Sequence, residues 1–241
     1  MKMSVIVPAF NEEKLIVETL CRIKRAMTAF SELNWEAELI VCDNNSTDKT
    51  SALAKSEGAT VVFEPINQIS RARNAGAKAA TGDWLIFVDA DSLPSRELFV
   101  DVAEKISTGK YLAGGVTVTF DEAPLEARCL VGLWNSISRT AKYCAGSFIF
   151  CDAKAFREVH GFSTELFASE EIDLSKKLKQ FGKKSGKKLV ILHRFPLVTS
   201  ARKLKLYSRR EHLRVFSRAA FSRSKSLKNR DACELWYDGR R

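Results

Sequence analysis

Histidine is scarce in this chain of 241 residues: there are three, at positions 160, 193 and 212. So few, so far apart, complete no zinc-ligand spacing. The six cysteines, Cys21, Cys42, Cys129, Cys144, Cys151 and Cys233, include no Cys-x-x-Cys pair and read as reduced thiols that mostly fill core volume. Long apolar runs are missing too, and nothing approaches the ~20 residues needed to cross a bilayer. Met1-Lys2-Met3 leads straight into Ser4-Val5-Ile6-Val7-Pro8, too short a run for the apolar region of a signal peptide. A cytoplasmic location is the expectation, with at most peripheral contact on the inner membrane surface. Gly-x-Gly-x-x-Gly is absent after the first apolar run, and so is a Gly-rich loop ending in Gly-Lys-Ser/Thr, which argues against dinucleotide dehydrogenases and P-loop enzymes.

What is present is a 45% hydrophobic chain, long enough for one large domain with a real core. The net charge of +10 is unevenly placed: residues 202–241 hold 13 Lys/Arg against four acids, a local +9, which leaves +1 for residues 1–201. The body is therefore no generic polyanion binder.

Short apolar runs alternate with amphipathic ones. Strands are predicted at Ser4–Val7, Glu38–Cys42, Thr60–Phe63 and Trp84–Val88. Helices are predicted from Glu12 to about Ala29, from Asp48 to Gly58, and over Ser70–Ala80. Such alternation implies right-handed crossovers and a mainly parallel, doubly wound α/β sheet flanked by helices. Later, helices are predicted at Arg96–Ser107, Leu125–Ala141, from Ala153, and at Glu170–Phe181 stopped by Gly182, with strands at Leu112–Phe120, Ser147–Phe150 and Leu189–Leu192. No linker separates independent domains. The expected organisation is a catalytic unit over 1–201, with a nucleotide-binding half to about 95 and an acceptor half over 96–201, then a basic helical tail over 202–241.

In sheets of this kind ligands bind at the carboxyl ends of the strands. Three predicted strands end in loaded segments: Pro8-Ala9-Phe10-Asn11-Glu12, Asp43-Asn44-Asn45 and Asp89-Ala90-Asp91. Two carboxylates one residue apart at a strand end can converge on Mg²⁺ or Mn²⁺, whose remaining ligands a diphosphate supplies. A bare Asp-x-Asp is otherwise a solvated acidic turn.

At this point the chain resembles the family 2 glycosyltransferases, which have the GT-A fold, over roughly Ser4 to Lys183. The resemblance rests on five elements in order: Val5–Glu13, Val41–Thr50, Arg71-Ala72-Arg73-Asn74-Ala75-Gly76, Gly82–Asp91, and Gly161-Phe162 followed by Glu170-Glu171-Ile172-Asp173-Leu174. It implies a nucleotide-sugar donor, with UDP-sugar as the default, cradled by Pro8, Ala9, Asn11 and Glu12, with Asp43 reading the base. It further implies Asp89 on the ribose and at the metal, Asp91 as metal ligand, and a divalent cation (Mn²⁺ or Mg²⁺) on the diphosphate. Asp43 and Ser46 also suit an Asx turn and a helix cap. Arg71 and Asn74 open a predicted helix where an anion is welcome. Arg73 can equally belong to a solvated face.

The resemblance places a general base, usually Asp in a Glu-Asp pair, at Glu171, with Glu170 and Asp173 as fallbacks and inversion as the stereochemical outcome. Acids in a first helical turn also simply complement the helix dipole. His160 and His193 read as structural. Trp84 and Trp134 suit either sugar stacking or the core. The Gln-x-x-Arg-Trp motif of processive members is missing, so transfer of a single sugar is expected. Arg202 is a candidate for closing over the diphosphate.

Within 203–227, Leu206, Leu213, Phe216, Ala220 and Leu227 share one helical face, with Arg210, Arg214 and Arg218 away from it. Such a segment suits an anionic membrane near a lipid-linked acceptor, or packing on the domain, or a dimer contact. Oligomeric state stays open. A nucleic-acid module is disfavoured by the near-neutral body, and an inactive homologue by the intact Asp89, Asp91 and Glu171.

Overall fold

The computed structural model describes residues 1–200; the basic tail and Arg202 lie outside the described residues. The elements in order are β1 (Lys2–Ala9), α1 (Ile16–Ser31), β2 (Glu36–Asp43), α2 (Thr50–Ser56), β3 (Thr60–Phe63), α3 (Ile69–Ala79), β4 (Trp84–Val88), β5 (Ser92–Leu93), α4 (Arg96–Ser107), β6 (Tyr111–Phe120), α5 (Leu125–Ala141), β7 (Phe148–Asp152), α6 (Ala153–Glu158), α7 (Glu170–Ser185) and β8 (Lys188–Thr199).

One eight-stranded sheet carries them in the order β3-β2-β1-β4-β7-β6-β8-β5. The first four strands are parallel and joined by helical crossovers, as the apolar alternation predicts. Beyond β4 the sheet is mixed: β7 runs antiparallel to both β4 and β6, β8 is parallel to β6, and β5 is antiparallel to β8. This is a mixed, helix-flanked α/β sheet of the kind the family resemblance implies.

The period of two along β1 splits the core. Met3, Val5 and Val7 face a layer built by Ile16, Leu20 and Ile23 of α1 and Leu98, Phe99 and Val102 of α4. Ile6, with Leu85 and Phe87 of β4, faces Phe156 of α6, Phe162, and Leu174 and Leu178 of α7. Both faces are covered, which is why β1 and β4 read as unbroken apolar runs.

Three boundaries depart most from the predicted ones. α1 begins at Ile16 rather than Glu12, because the Glu12 carbonyl caps a turn by accepting from Leu15 and Ile16 while its N–H donates to Thr50 Oγ1 at 2.8 Å. α7 continues through Gly182 to Ser185. Gly182 sits on the buried face, where a Cβ would come 2.5 Å from Leu112 Cδ2, and the stop is Gly186 at φ +69°. β8 runs past Leu192 to Thr199, with irregular pairing between Val116 and Val118 absorbing the extra residues, and its end pairs with β5. Among the described residues no helix is long and apolar enough to cross a membrane.

Candidate active site

The parallel register fixes the first part of the site. Ala9 lies opposite Asp43 across β1 and β2, and Ile6 lies opposite Phe87 across β1 and β4, so the three strands end together along one edge. The loops after β1 and β2 then lock onto each other. Asn11, held at φ 53°, donates its N–H to Ser46 Oγ at 3.1 Å and accepts from the Thr47 N–H at 2.8 Å. Asp43 accepts from the Ser46 N–H three residues on at 2.9 Å, a capping bond rather than an Asx turn, and is buried, as is Glu12. Pro8 and Ala9 are buried strand residues at this rim.

Asn44 entered the sequence reading only as part of the loaded Asp43-Asn44-Asn45 segment, with no role of its own, yet it is the hub of the next layer. Its amide donates to the Glu64 and Ile66 carbonyls at 3.2 and 2.7 Å, and its Oδ1 accepts from the Gln68 N–H at 2.9 Å. Gln68 in turn donates to the carbonyls of Thr164 and Leu166 at 2.9 and 3.0 Å. The loop before α7 is thus suspended from the loop after β2.

Two predicted donor residues turn elsewhere. Arg71 Nε donates to Gln68 Oε1 at 3.0 Å. Asn74 clamps the Phe162 backbone, donating to its carbonyl at 2.8 Å and accepting from its N–H at 3.0 Å. Gly161, at φ +62°, is required there, since a Cβ would lie 2.7 Å from Asn74 Oδ1. Neither side chain is brought to Asp89 or Asp91 as a helix-start phosphate contact.

Arg73 is the correction with most consequence. It lies on no solvated face: it is 1% exposed and sits at the centre of the charged groups. Its Nη1 donates to Glu170 at 2.7 Å, and its Nη2 donates to Asp89 at 2.9 Å and to the Gly146 carbonyl at 2.8 Å. The guanidinium also lies 5.2 Å from the centre of the Phe162 ring. Helical spacing could have found it, because Arg73 shares the buried face of α3 with Ala72, Gly76 and Ala77. Burial alone would depress its pKa; the charges of Asp89, Glu170 and Glu171 more than offset that and hold it above its ordinary value.

Glu170 and Glu171 open α7 directly after Ser169, whose φ of 64° turns the chain sharply into the helix. Glu170 is buried against Arg73. Glu171 lies beside it, and burial, reinforced by the Glu170 charge, pushes its carboxyl up to about 8 despite the opposing pull of Arg73. Asp173 points along the helix to Lys177, 2.8 Å away, and is not part of the cluster. Trp84 and Trp134 pack with the core, while His160 and His193 are exposed.

Asp91 completes the edge. Its carbonyl accepts from the Ser200 N–H at 3.1 Å, while its half-buried carboxylate makes no hydrogen bond or ion pair with the other described residues. An oxygen donor so placed at a strand end fits a hard dication. Among the described residues no group of three or more His, Cys, Asp or Glu is arranged to hold a metal, so such an ion would draw its other ligands from a diphosphate and water.

Comparison with known proteins agrees with this architecture. The Bacillus subtilis (strain 168) glycosyltransferase YfnE is 35% identical over 103 residues, covering 41% of this chain and 25% of its own. The undecaprenyl-phosphate 4-deoxy-4-formamido-L-arabinose transferase of Klebsiella pneumoniae (strain 342) is 28% identical over 163 residues, covering 65% of this chain and 49% of its own. The chain thus spans about a quarter and about half of the lengths of these two relatives. Among solved structures, the mannosyltransferase PcManGT of Pyrobaculum calidifontis, in complex with GDP-Man and Mn²⁺, superposes with a TM-score of 0.68 at 21% identity, covering 90% of this chain and 60% of that one. The model of glycosyl transferase family 2 matches residues 4–159, more than half of the sequence, and the chain belongs to that family.

Proposed function

We propose that the protein transfers one sugar from a nucleoside-diphosphate sugar to an acceptor with inversion, using a divalent cation on the diphosphate and Glu171 as general base. One observation carries the reading: the carboxylates from the end of β4 and from the start of α7 converge around a single buried arginine at the carboxyl edge of the sheet. The residues read here as donor-binding and as base would thereby stand at one place.

Asp43 and Glu12 at the rim would receive the nucleoside, and Asp89 the ribose. Asp91, with Asp89 beside it, would hold the cation, which neutralises charge building on the departing diphosphate. Glu171 takes the proton from the acceptor hydroxyl as that oxygen attacks the anomeric carbon. Glu170 and Arg73 set the charge around that carboxyl. Asp173, paired with Lys177, is the weaker base candidate. A lipid-linked acceptor is favoured by the name of the Klebsiella relative.

A thermal-shift panel tests the donor half: nucleotide sugars and nucleoside diphosphates, each with and without Mn²⁺ or Mg²⁺, on wild type and Asp91→Asn. A ligand at 100 times its dissociation constant stabilises the native state by ~2.7 kcal/mol. Metal-dependent stabilisation by one nucleotide class, lost in Asp91→Asn, is the expected result and names the base. Silence across the panel overturns the reading.

A further inference from the structure

Helix α5 is poorly buried for its composition. Of its 17 residues only Ser138 is fully buried, while Val131 and Trp134 pack partly against the core and Asn135 bonds the Val118 backbone at 3.0 and 2.9 Å. On the other side Leu130, Leu133 and Ile137 are 51%, 60% and 45% exposed, and Leu125 is 73% exposed. Positions 130, 133 and 137 fall on one face at helical spacing, so the exposed leucines and isoleucine form a continuous stripe. A stripe of this kind marks a contact.

The chain itself supplies a candidate occupant, and its exit point sets the geometry. β8 ends at Thr199, whose carbonyl accepts from the Asp121 N–H at 3.3 Å, and α5 begins four residues later, at Leu125. The described chain therefore ends, at Ser200, by the foot of α5. The stripe lies about 8–18 Å up that helix at 1.5 Å per residue, within reach of residues 201–241. Charge selects among partners. Asp121, Glu122 and Glu126 cluster at the foot of α5, which suits a cationic partner and disfavours an anionic lipid surface there. Residues 202–241 carry a local +9, and Leu206, Leu213 and Phe216 recur at helical spacing.

We propose that the exposed apolar stripe of α5 is the docking face for the chain's own basic C-terminal segment, with Leu206, Leu213 and Phe216 against Leu130, Leu133 and Ile137. Because Ser200 is bonded to the Asp91 carbonyl, a segment so docked starts beside the candidate metal ligand and holds Arg202 near it. This inference stands apart from the glycosyl-transfer reading and needs no donor or acceptor for its test.

Two native cysteines serve as reporters in the full chain: Cys129, exposed on α5, and Cys21, exposed on α1. Labelling with a maleimide, read peptide by peptide, should modify Cys129 at least tenfold more slowly than Cys21. The full-length double variant Leu213→Glu/Phe216→Glu should raise the Cys129 rate to that of Cys21 and leave Cys21 unchanged. In a second measurement, Leu130→Glu/Leu133→Glu should speed tryptic cleavage after Arg210 and Arg214 at least tenfold. Equal labelling of the two cysteines in wild type overturns the proposal, as does unchanged cleavage. Protection of Cys129 that appears only with vesicles of 7:3 phosphatidylcholine and phosphatidylglycerol overturns it in favour of a lipid surface. Protection that vanishes on dilution overturns it in favour of a second copy.

Discussion

The rim formed by the loops after β1 and β2 and the cluster around Arg73 lie on the same edge of one sheet, but different forces hold them. At the rim, short polar side chains meet backbone donors: Asn11 with Ser46 and Thr47, Asp43 with Ser46, Glu12 with Thr50. Most of these bonds are local or join two neighbouring turns, and each contributes roughly 1 kcal/mol. In the cluster, one guanidinium holds carboxylates brought from sequence positions 89 and 170, in a place where each charge depends on the others. In the proposed reading the rim receives the nucleoside. The cluster sets a charge balance that a proton transfer can use.

The sharpest test of that division is Glu171→Gln. If the cluster carries the chemistry, kcat should fall by roughly 10²–10⁴ while the donor KM stays within about threefold, measured by steady-state transfer. A rim variant such as Asn11→Gly should do the reverse, raising the donor KM with kcat little changed.

Arg73→Met comes next. It leaves Asp89 and Glu170 without their cation, and loss of one partner of a buried pair costs about 3–5 kcal/mol. Urea unfolding should show this as a lower midpoint with an unchanged slope. A loss below about 1 kcal/mol would mean that water reaches the cluster and that the contrast with the rim is illusory.

The pH dependence offers a third test. With Glu171 at about 8, the ionised base should rise about tenfold between pH 7 and pH 9, and kcat/KM with it. Stability moves the opposite way. A carboxyl raised in the folded state contributes stability below its unfolded value near 4.5 and loses it as pH climbs toward 8. Glu171→Gln should flatten both profiles. The smallest effect is expected from Asn11→Gly, which keeps the positive φ and the backbone N–H bond to Ser46 but removes the side-chain acceptor of the Thr47 N–H; about 1 kcal/mol of unfolding free energy should be lost.

The legibility of the sequence follows the same division. β1, β2 and β4 are readable because both faces of that half-sheet are covered, leaving uniform apolar runs. The site segments at 8–12, 43–50 and 89–91 are readable because they directly follow those runs. The far end of β8 is not readable: His193 and Arg194 are exposed, and Pro196 interrupts the pattern, so only pairing with β6 and β5 reveals a strand. Gly182 and Gly186 look alike in sequence, and only the packing against Leu112 tells which one stops α7. Arg73 was hidden by its charge, although its helical position among Ala72, Gly76 and Ala77 points inward. Asn44 and Gln68 gave no local signal, because their partners lie at Glu64, Ile66, Thr164 and Leu166.

That last chain of contacts bears on any attempt to re-engineer the loop that leads into Glu170 and Glu171. The loop before α7 is the obvious segment to exchange between relatives, since it leads into Glu170 and Glu171. It is not an independent cassette. Two of its carbonyls are spoken for by Gln68, and Gln68 is itself seated by Asn44 in the loop after β2. A graft that fails to present carbonyls at positions 164 and 166 would strand a buried amide and loosen the opposite wall of the site at the same time. Libraries of this loop should therefore vary 163, 165, 167 and 168, and leave those two backbone positions as they stand.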